Sequence, residues 1–272
     1  MKNIRKVCVV TGSRAEYDLL YCTMKEIEKS NLMNLQILVT GMHLAHKYGN
    51  TYKQIEQDGF TIDCKVDMGL ISDSEAGIIQ SVSLGITGFS DALIDLKPDL
   101  LLVLGDRFEI FSAVVVATIL RIPVAHLHGG EKTEGAFDES FRHSITKMSH
   151  LHFTAANEYR ERVIQLGENP DNVFNVGALG MDNIKNLKLL PKKKFEESVG
   201  FKLNKHNLLI TFHPVTLEDK TSGVQFKNLI AALDQLENTH LFFTKTNADT
   251  YGSIINQMID DYVEKHSEKA IA

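Results

Sequence analysis

Residues 100–130 read LLLVLGDRFEIFSAVVVATILRIPVAHLHGG. Leu100 to Leu104 is apolar without a break, the pattern of a strand buried on both faces. Gly105-Asp106 ends it, Phe108 to Leu120 carries a longer helical pattern, and Pro123 to Leu127 is a second apolar run. Strand, helix and strand within about thirty residues make one βαβ unit, whose two strands lie parallel.

The alternation extends both ways from this unit. Val7 to Thr11 and Leu35 to Thr40 read as strands, and between them Leu20, Met24 and Ile27 share one face of a helix from Tyr17 to Lys29. A long helix covers Glu75 to Leu96 and is stopped by Pro98. Downstream come a helix from Glu139 to Ser149, a strand at His152 to Thr154, a helix capped by Asn157 and ended by Gly167, and a strand from Val173 to Val176. Residues 1–185 are thus expected to form one α/β domain. The charged stretch Pro191 to Lys194 looks like a linker. A second alternation follows: strand Leu208–Phe212, helix Val224–Leu236, strand His240–Thr244, helix Thr250–Glu264. Residues 186–272 are expected to be the start of a second, incomplete α/β domain with an exposed sheet edge, reaching Ala270 where a third strand belongs.

Composition limits the function classes. The chain has 272 residues, 43% hydrophobic and 24% charged, with a formal charge of −6, which suits a soluble globular protein and not a broad binder of nucleic acid. The cysteines, Cys8, Cys22 and Cys64, are odd in number and show no C-x-x-C spacing, so neither a disulfide framework nor a zinc knuckle is indicated. The apolar run after Met1 is too short to span a membrane and lacks a small-residue cleavage site, so the cytoplasm is the expected compartment and no membrane partner is expected.

Parallel sheets place their chemistry at the carboxyl ends of the strands. Four loops are picked out in this way: Gly12–Glu16, Gly41–His43, Gly105–Glu109 and His128–Asp138. In the first, helix-start N–H groups and Arg14 suit phosphate, although the stretch is neither G-x-G-x-x-G nor a P-loop. In the third, Asp106 is either a helix cap or, beside Arg107 and Glu109, part of a sugar and phosphate site. The fourth is the richest, with His126, His128, Glu131, Glu134, Asp138 and Glu139 around Gly129-Gly130. Histidine and carboxylates in one loop suit acid–base chemistry, and strand alternation would point His126 and His128 the same way. His128, Glu131 and His143 form a conceivable metal set, but the spacing matches no recognised one, and no metal is expected. In the second unit, His213-Pro214-Val215-Thr216 and Asn247-Ala248-Asp249 end the two strands.

Together these loops resemble the hydrolysing UDP-N-acetylglucosamine 2-epimerases of the sialic-acid and related pathways. The resemblance runs in order through Thr11–Tyr17, Thr40–His43, Gly105–Arg107, His128–Glu131, Asp138–Lys147 and His213–Thr216. It implies two Rossmann-like domains of GT-B type, the second incomplete here, with a UDP-sugar substrate, no cofactor and no metal. It implies elimination of UDP with removal of the C2 proton, then hydration of a glucal to N-acetylmannosamine. Asp106, Glu131 and Asp138 resemble the family's active-site carboxylates, and His128 stands where some members carry Glu. Arg14, His43, Arg107, Arg142, His213 and Asn247 fall at its substrate and nucleotide contacts. The family's Ser-rich phosphate loop and final crossover helix find no match, so a truncated product is expected. Homo-oligomers are common in the family. The alternatives are the same chemistry on a UDP-2,4-diacetamido-2,4,6-trideoxy sugar, a non-catalytic nucleotide-sugar-binding fragment, and, on fold alone, a glycosyltransferase.

Overall fold

The computed structural model describes residues 4–70, 72–218 and 221–272. Its chain order is β1 (Arg5–Thr11), α1 (Arg14–Lys29), β2 (Met33–Thr40), α2 (Tyr52–Gln57), β3 (Cys64–Val66), α3 (Glu75–Leu96), β4 (Leu100–Leu104), α4 (Phe108–Leu120), β5 (Val124–Leu127), α5 (Asp138–Met148), β6 (Leu151–Thr154), α6 (Asn157–Gln165), β7 (Val173–Asn175) and α7 (Gly180–Asn186). It continues through α8 (Lys192–Val199), β8 (His206–Thr211), α9 (Ser222–Leu233), β9 (Thr239–Thr244), α10 (Gly252–Lys265) and β10 (Ala270–Ile271). The described residues group into two compact units, one reaching Ser72 together with Ala76–Asn186, the other Asp73–Glu75 with Leu187–Ala272.

In the first unit seven strands lie parallel in the order β3-β2-β1-β4-β5-β6-β7. Successive side chains of a strand face opposite ways, so an all-apolar strand feeds two cores. Cys8, Val10, Leu101 and Val103 enter one core, under α3, α4 and α5. Val7, Val9, Leu102 and Leu104 enter the other, under α1 and α2. Burial at α3 follows helical spacing, through Ile78, Ser81, Gly85, Phe89, Ala92 and Leu93. Among the described residues α3 alone is long and apolar enough to cross a membrane, and a buried core helix has the same composition. Over β4 to β7 the second face is open near α7, where Leu102, Leu127, Phe153, Leu179 and Met181 line a cavity of about 370 Å³.

The chain order reverses between β1 and β4, so the loops Gly12–Glu16 and Gly105–Glu109 stand side by side at the switch point, where α/β sheets hold ligands. Two local expectations are corrected. Asn157 is the first residue of α6 rather than its cap, and its Oδ1 accepts from Asn175 Nδ2 of β7 at 2.7 Å. His128 follows the end of β5 with φ at 62°, so the strand alternation expected to relate it to His126 stops at Leu127.

The second unit holds a three-stranded parallel sheet in the order β10-β9-β8. Leu241 and Phe243 of β9 pack with Phe226 of α9 and with Ile255, Ile259 and Tyr262 of α10. Among the described residues β8 lies at one side of this sheet, and its Leu209 is 74% exposed. An apolar edge strand is a template for pairing with another chain. Leu209→Lys is therefore expected to suppress concentration-dependent association in light scattering, while the urea midpoint changes by no more than about 0.5 kcal/mol equivalent.

Candidate active site

Helix α5 is fixed by its apolar face. Phe141 stacks on Phe111 of α4 with ring centroids 4.8 Å apart, and Ile145 is fully buried. One turn from Ile145, Arg142 is thereby pushed into the strand-end loops, and it is only 5% exposed. Its Nη2 donates to Asp106 Oδ2 and, at 2.9 Å, to Thr133 Oγ1. Its Nη1 donates to the His128 carbonyl at 3.2 Å and to Glu131 Oε2 at 3.3 Å. One guanidinium thus ties the loop after β4 to the loop after β5.

The loop after β5 needs its glycines. Gly130 has φ at 78°, and a Cβ there would run into the Tyr159 carbonyl of α6. The tight approach turns His128 so that its Nδ1 lies 2.7 Å from Glu131 Oε1. Its Nε2 is buried and has no hydrogen-bond partner among the described residues. The loop closes back onto α5 through Thr133 N–H to Glu139 Oε2 at 2.8 Å.

The two carboxyls beside Arg142 are driven in opposite directions. Burial raises the pKa of Asp106, with Arg142 and Arg107 pulling against it. Burial also pushes Glu131 upward, but the His128 hydrogen bond and charge, followed by Arg142, carry it below its ordinary value. Neighbouring acids with separated affinities for protons are what stepwise proton transfer requires.

The structure brings Asp106, His128, Glu131 and Arg142 together and sets Asp138 half-buried on the first turn of α5. Arg14 is exposed at the start of α1, whose cap is Ser13. His43 is fully buried, its Nε2 3.0 Å from Thr11 Oγ1 and its Nδ1 2.8 Å from Thr51 Oγ1. Arg107 is 9% exposed and forks onto Glu109. In the second unit, His213 follows β8, and its Nδ1 lies 3.6 Å from Asp249 Oδ2, while Asn247 follows β9. His143 pairs with Glu139, and among the described residues no group of three or more His, Cys, Asp or Glu is arranged for a metal ion. Thr133 was not legible as a site residue, since its role depends on where Arg142 lands. Glu109 stands beside Arg107 in the sequence, but only the fold shows it to be buried.

The UDP-N-acetylglucosamine 2-epimerase family model matches residues 25–270. This chain belongs to that family. It is 46% identical over 266 residues to the GDP/UDP-N,N'-diacetylbacillosamine 2-epimerase (hydrolyzing) of Campylobacter jejuni, covering 98% of this chain and 69% of that one. It is 41% identical to the polysialic acid biosynthesis protein P7 of Escherichia coli, covering 97% of this chain and 67% of that one. The fold is that of the Neisseria meningitidis UDP-GlcNAc 2-epimerase solved with UDP-GlcNAc, with a TM-score of 0.74 at 19% identity over 97% of this chain and 71% of that one. The epimerase fold here is α/β of GT-B type, with a seven-stranded parallel sheet and a second, smaller one.

The buried histidines of this epimerase-family chain make a pH prediction. Burial holds His43 neutral, with its pKa lowered from 6.5 to about 4. The unfolded chain takes up that proton near pH 6.5 and the folded chain refuses it until about pH 4, so acid favours unfolding across this window and nothing changes above it. Relative to wild type, His43→Gln is expected to gain stability as pH falls from about 6.5 to 4 in urea titrations. Parallel curves for the two proteins would contradict this.

Proposed function

We propose that this chain catalyses hydrolysing 2-epimerisation of a nucleoside-diphosphate-linked 2-acetamido sugar. The observation that carries the reading is the Asp106–Arg142–Glu131–His128 cluster at the carboxyl ends of β4 and β5. The C2 proton of such a sugar is a very weak acid, so a base must be held against it while the diphosphate departs. His128 is that base. Its Nδ1–H is given to Glu131, which leaves the lone pair on Nε2. Proton removal from C2 and cleavage of the C1–O bond, with the electron pair leaving on the diphosphate, give a 2-acetamidoglucal. Water then adds at C1, and C2 is reprotonated from the opposite face, which inverts that centre.

Inversion needs an acid facing the base across the ring. Asp106, whose proton affinity is raised by burial, fills that role, and Asp138 steadies positive character at C1. Glu131 orients His128, and Arg142 fixes both loops. Arg14 at the start of α1 is proposed to hold the diphosphate, since helix starts favour anions; within the second unit, His213 after β8 and Asn247 after β9 are proposed as nucleotide contacts. His43 and Arg107 support this site from beneath, since both are buried among protein partners.

Two sugars are supported. The 46%-identical relative named for N,N'-diacetylbacillosamine favours the UDP-2,4-diacetamido-2,4,6-trideoxy sugar as substrate. The family model's description names UDP-N-acetylglucosamine, and the 41%-identical relative is named for polysialic acid biosynthesis, which together support the second sugar, UDP-N-acetylglucosamine converted to N-acetylmannosamine. We place the protein in the cytoplasm, with a nucleotide sugar as its partner.

The test incubates the purified chain with each nucleotide sugar, in UDP and GDP forms, and separates free nucleotide and free sugar by chromatography. The diacetamido sugar is expected to turn over faster, with one diphosphate released per 2-epimerised sugar. His128→Gln is expected to lower kcat by about 100-fold or more without loss of folded protein. Folded protein that releases no nucleotide from any of these sugars would overturn the reading.

A further inference from the structure

Three charged side chains are shut away together at the switch point between β1 and β4. Glu109, on the first turn of α4, is fully buried. Arg107 forks onto it, Nε to Oε2 at 3.2 Å and Nη2 to Oε1 at 3.1 Å. Glu16, on the first turn of α1, is 5% exposed. Its Oε2 accepts the Gly12 N–H at 2.6 Å. Its Oε1 lies 4.0 Å from Arg107 Nε and is buried without a hydrogen-bond partner among the described residues. The backbone is shaped around the two acids. A Cβ on Gly12 would sit 3.4 Å from Glu109 Cβ and Glu16 Oε2, and one on Gly41, where φ is 57°, would sit 3.0 Å from Glu109 Oε1. The ends of β1, β2 and β4 therefore meet at this trio.

Among the described residues, two carboxyls face one guanidinium here, which leaves a negative charge in excess away from water. A buried unpaired charge is expensive, and the usual escape is to keep a proton. Glu16 is the acid with an oxygen to spare. We propose that Glu16 and Glu109 are positioning residues that act through Arg107, one as a carboxylic acid and one as a carboxylate, and so hold the Gly105–Arg107 turn that sets Asp106 against Arg142. The inference rests on the role given above to Asp106.

Burial, followed by the Glu109 charge, raises the pKa of Glu16 to about 7, against the lowering effects of Arg107 and the Gly12 and Ser13 N–H groups. Those are the charged groups that face it, Glu109 from α4 and Arg107 from the turn after β4. The folded chain keeps this proton from 4.5 up to about 7, where the unfolded chain has lost it, so its contribution to stability is full below 4.5 and lost as pH rises through 7. Ionised Glu16 then competes with Glu109 for Arg107 and loosens the turn.

The test compares wild type with Glu16→Gln and Glu109→Gln. In urea titrations, wild type is expected to lose stability relative to Glu16→Gln as pH rises from about 4.5 to 7, and no further above that. With the preferred nucleotide sugar, Glu16→Gln is expected to move the alkaline limb of kcat up by about one pH unit with little change in KM. Glu109→Gln is expected to lower kcat by about tenfold with KM within about threefold. Parallel stability curves for wild type and Glu16→Gln, or an unmoved kcat limb, would overturn the proposal. If Glu16→Gln does not fold, carboxyl carbon-13 titration of the wild-type chain decides. A glutamate titrating near pH 7 supports the shared proton, and all glutamates titrating within about one unit of 4.3 refute it. The stability and carbon-13 arms need no turnover, so a failed epimerase reading and a failed trio give different results.

Discussion

The guanidinium of Arg142 is the contact on which the candidate site depends. It reaches two strand-end loops at once, and without it Asp106 and Glu131 would be like charges sharing a half-buried space. Its own position follows from apolar packing on α5, where Phe141 stacks on Phe111 and Ile145 enters the core. Core geometry is stiff, so the charge network inherits a fixed frame. Breaking such a buried pair by removing one partner leaves an uncompensated charge, at a cost of about 3–5 kcal/mol, more than the pair itself contributes to stability. The network is better understood as setting geometry than as holding the fold together.

The sheet order explains why chemistry gathers where it does. Reversal between β1 and β4 opens a gap at their carboxyl ends, and the residues that line it come from helix starts. Glu16 and Glu109 both sit on first turns, of α1 and α4. Helix starts favour negative charge, which helps to tolerate two buried acids so close together. The proton they retain and the neutral His43 behind them are two answers to one problem, that of keeping polar groups in a dry interior.

Much of the fold was legible because periodicity is strongest where burial is most complete. The bounds of α3, β4 and α4 coincide with the sequence reading at Glu75–Leu96, Leu100–Leu104 and Phe108–Leu120. Short elements escaped it: β3 at Cys64–Val66 and α2 at Tyr52–Gln57 are too brief to show a period. Asn157 misled because capping preference is a weak prior, and its side chain found Asn175 on β7 instead. At the candidate site, the loops picked by the strand-end rule after β4 and β5 are the ones whose side chains meet in the structure, but the partners lie far apart in sequence. That Arg142 meets Asp106, 36 positions earlier, follows from tertiary packing and not from local pattern. His128 shows a further limit, since its φ of 62° ends the strand alternation one residue sooner than sequence alone suggests.

The central claim is that the C2 proton leaves the sugar and is replaced from the opposite face by an acid open to solvent exchange. Proton NMR of the reaction run in heavy water tests it directly. The account predicts free 2-epimerised sugar carrying deuterium at C2, with free nucleoside diphosphate appearing in equal amount. Epimerised sugar that keeps its original C2 proton would contradict it, because that proton would never have been taken up by His128.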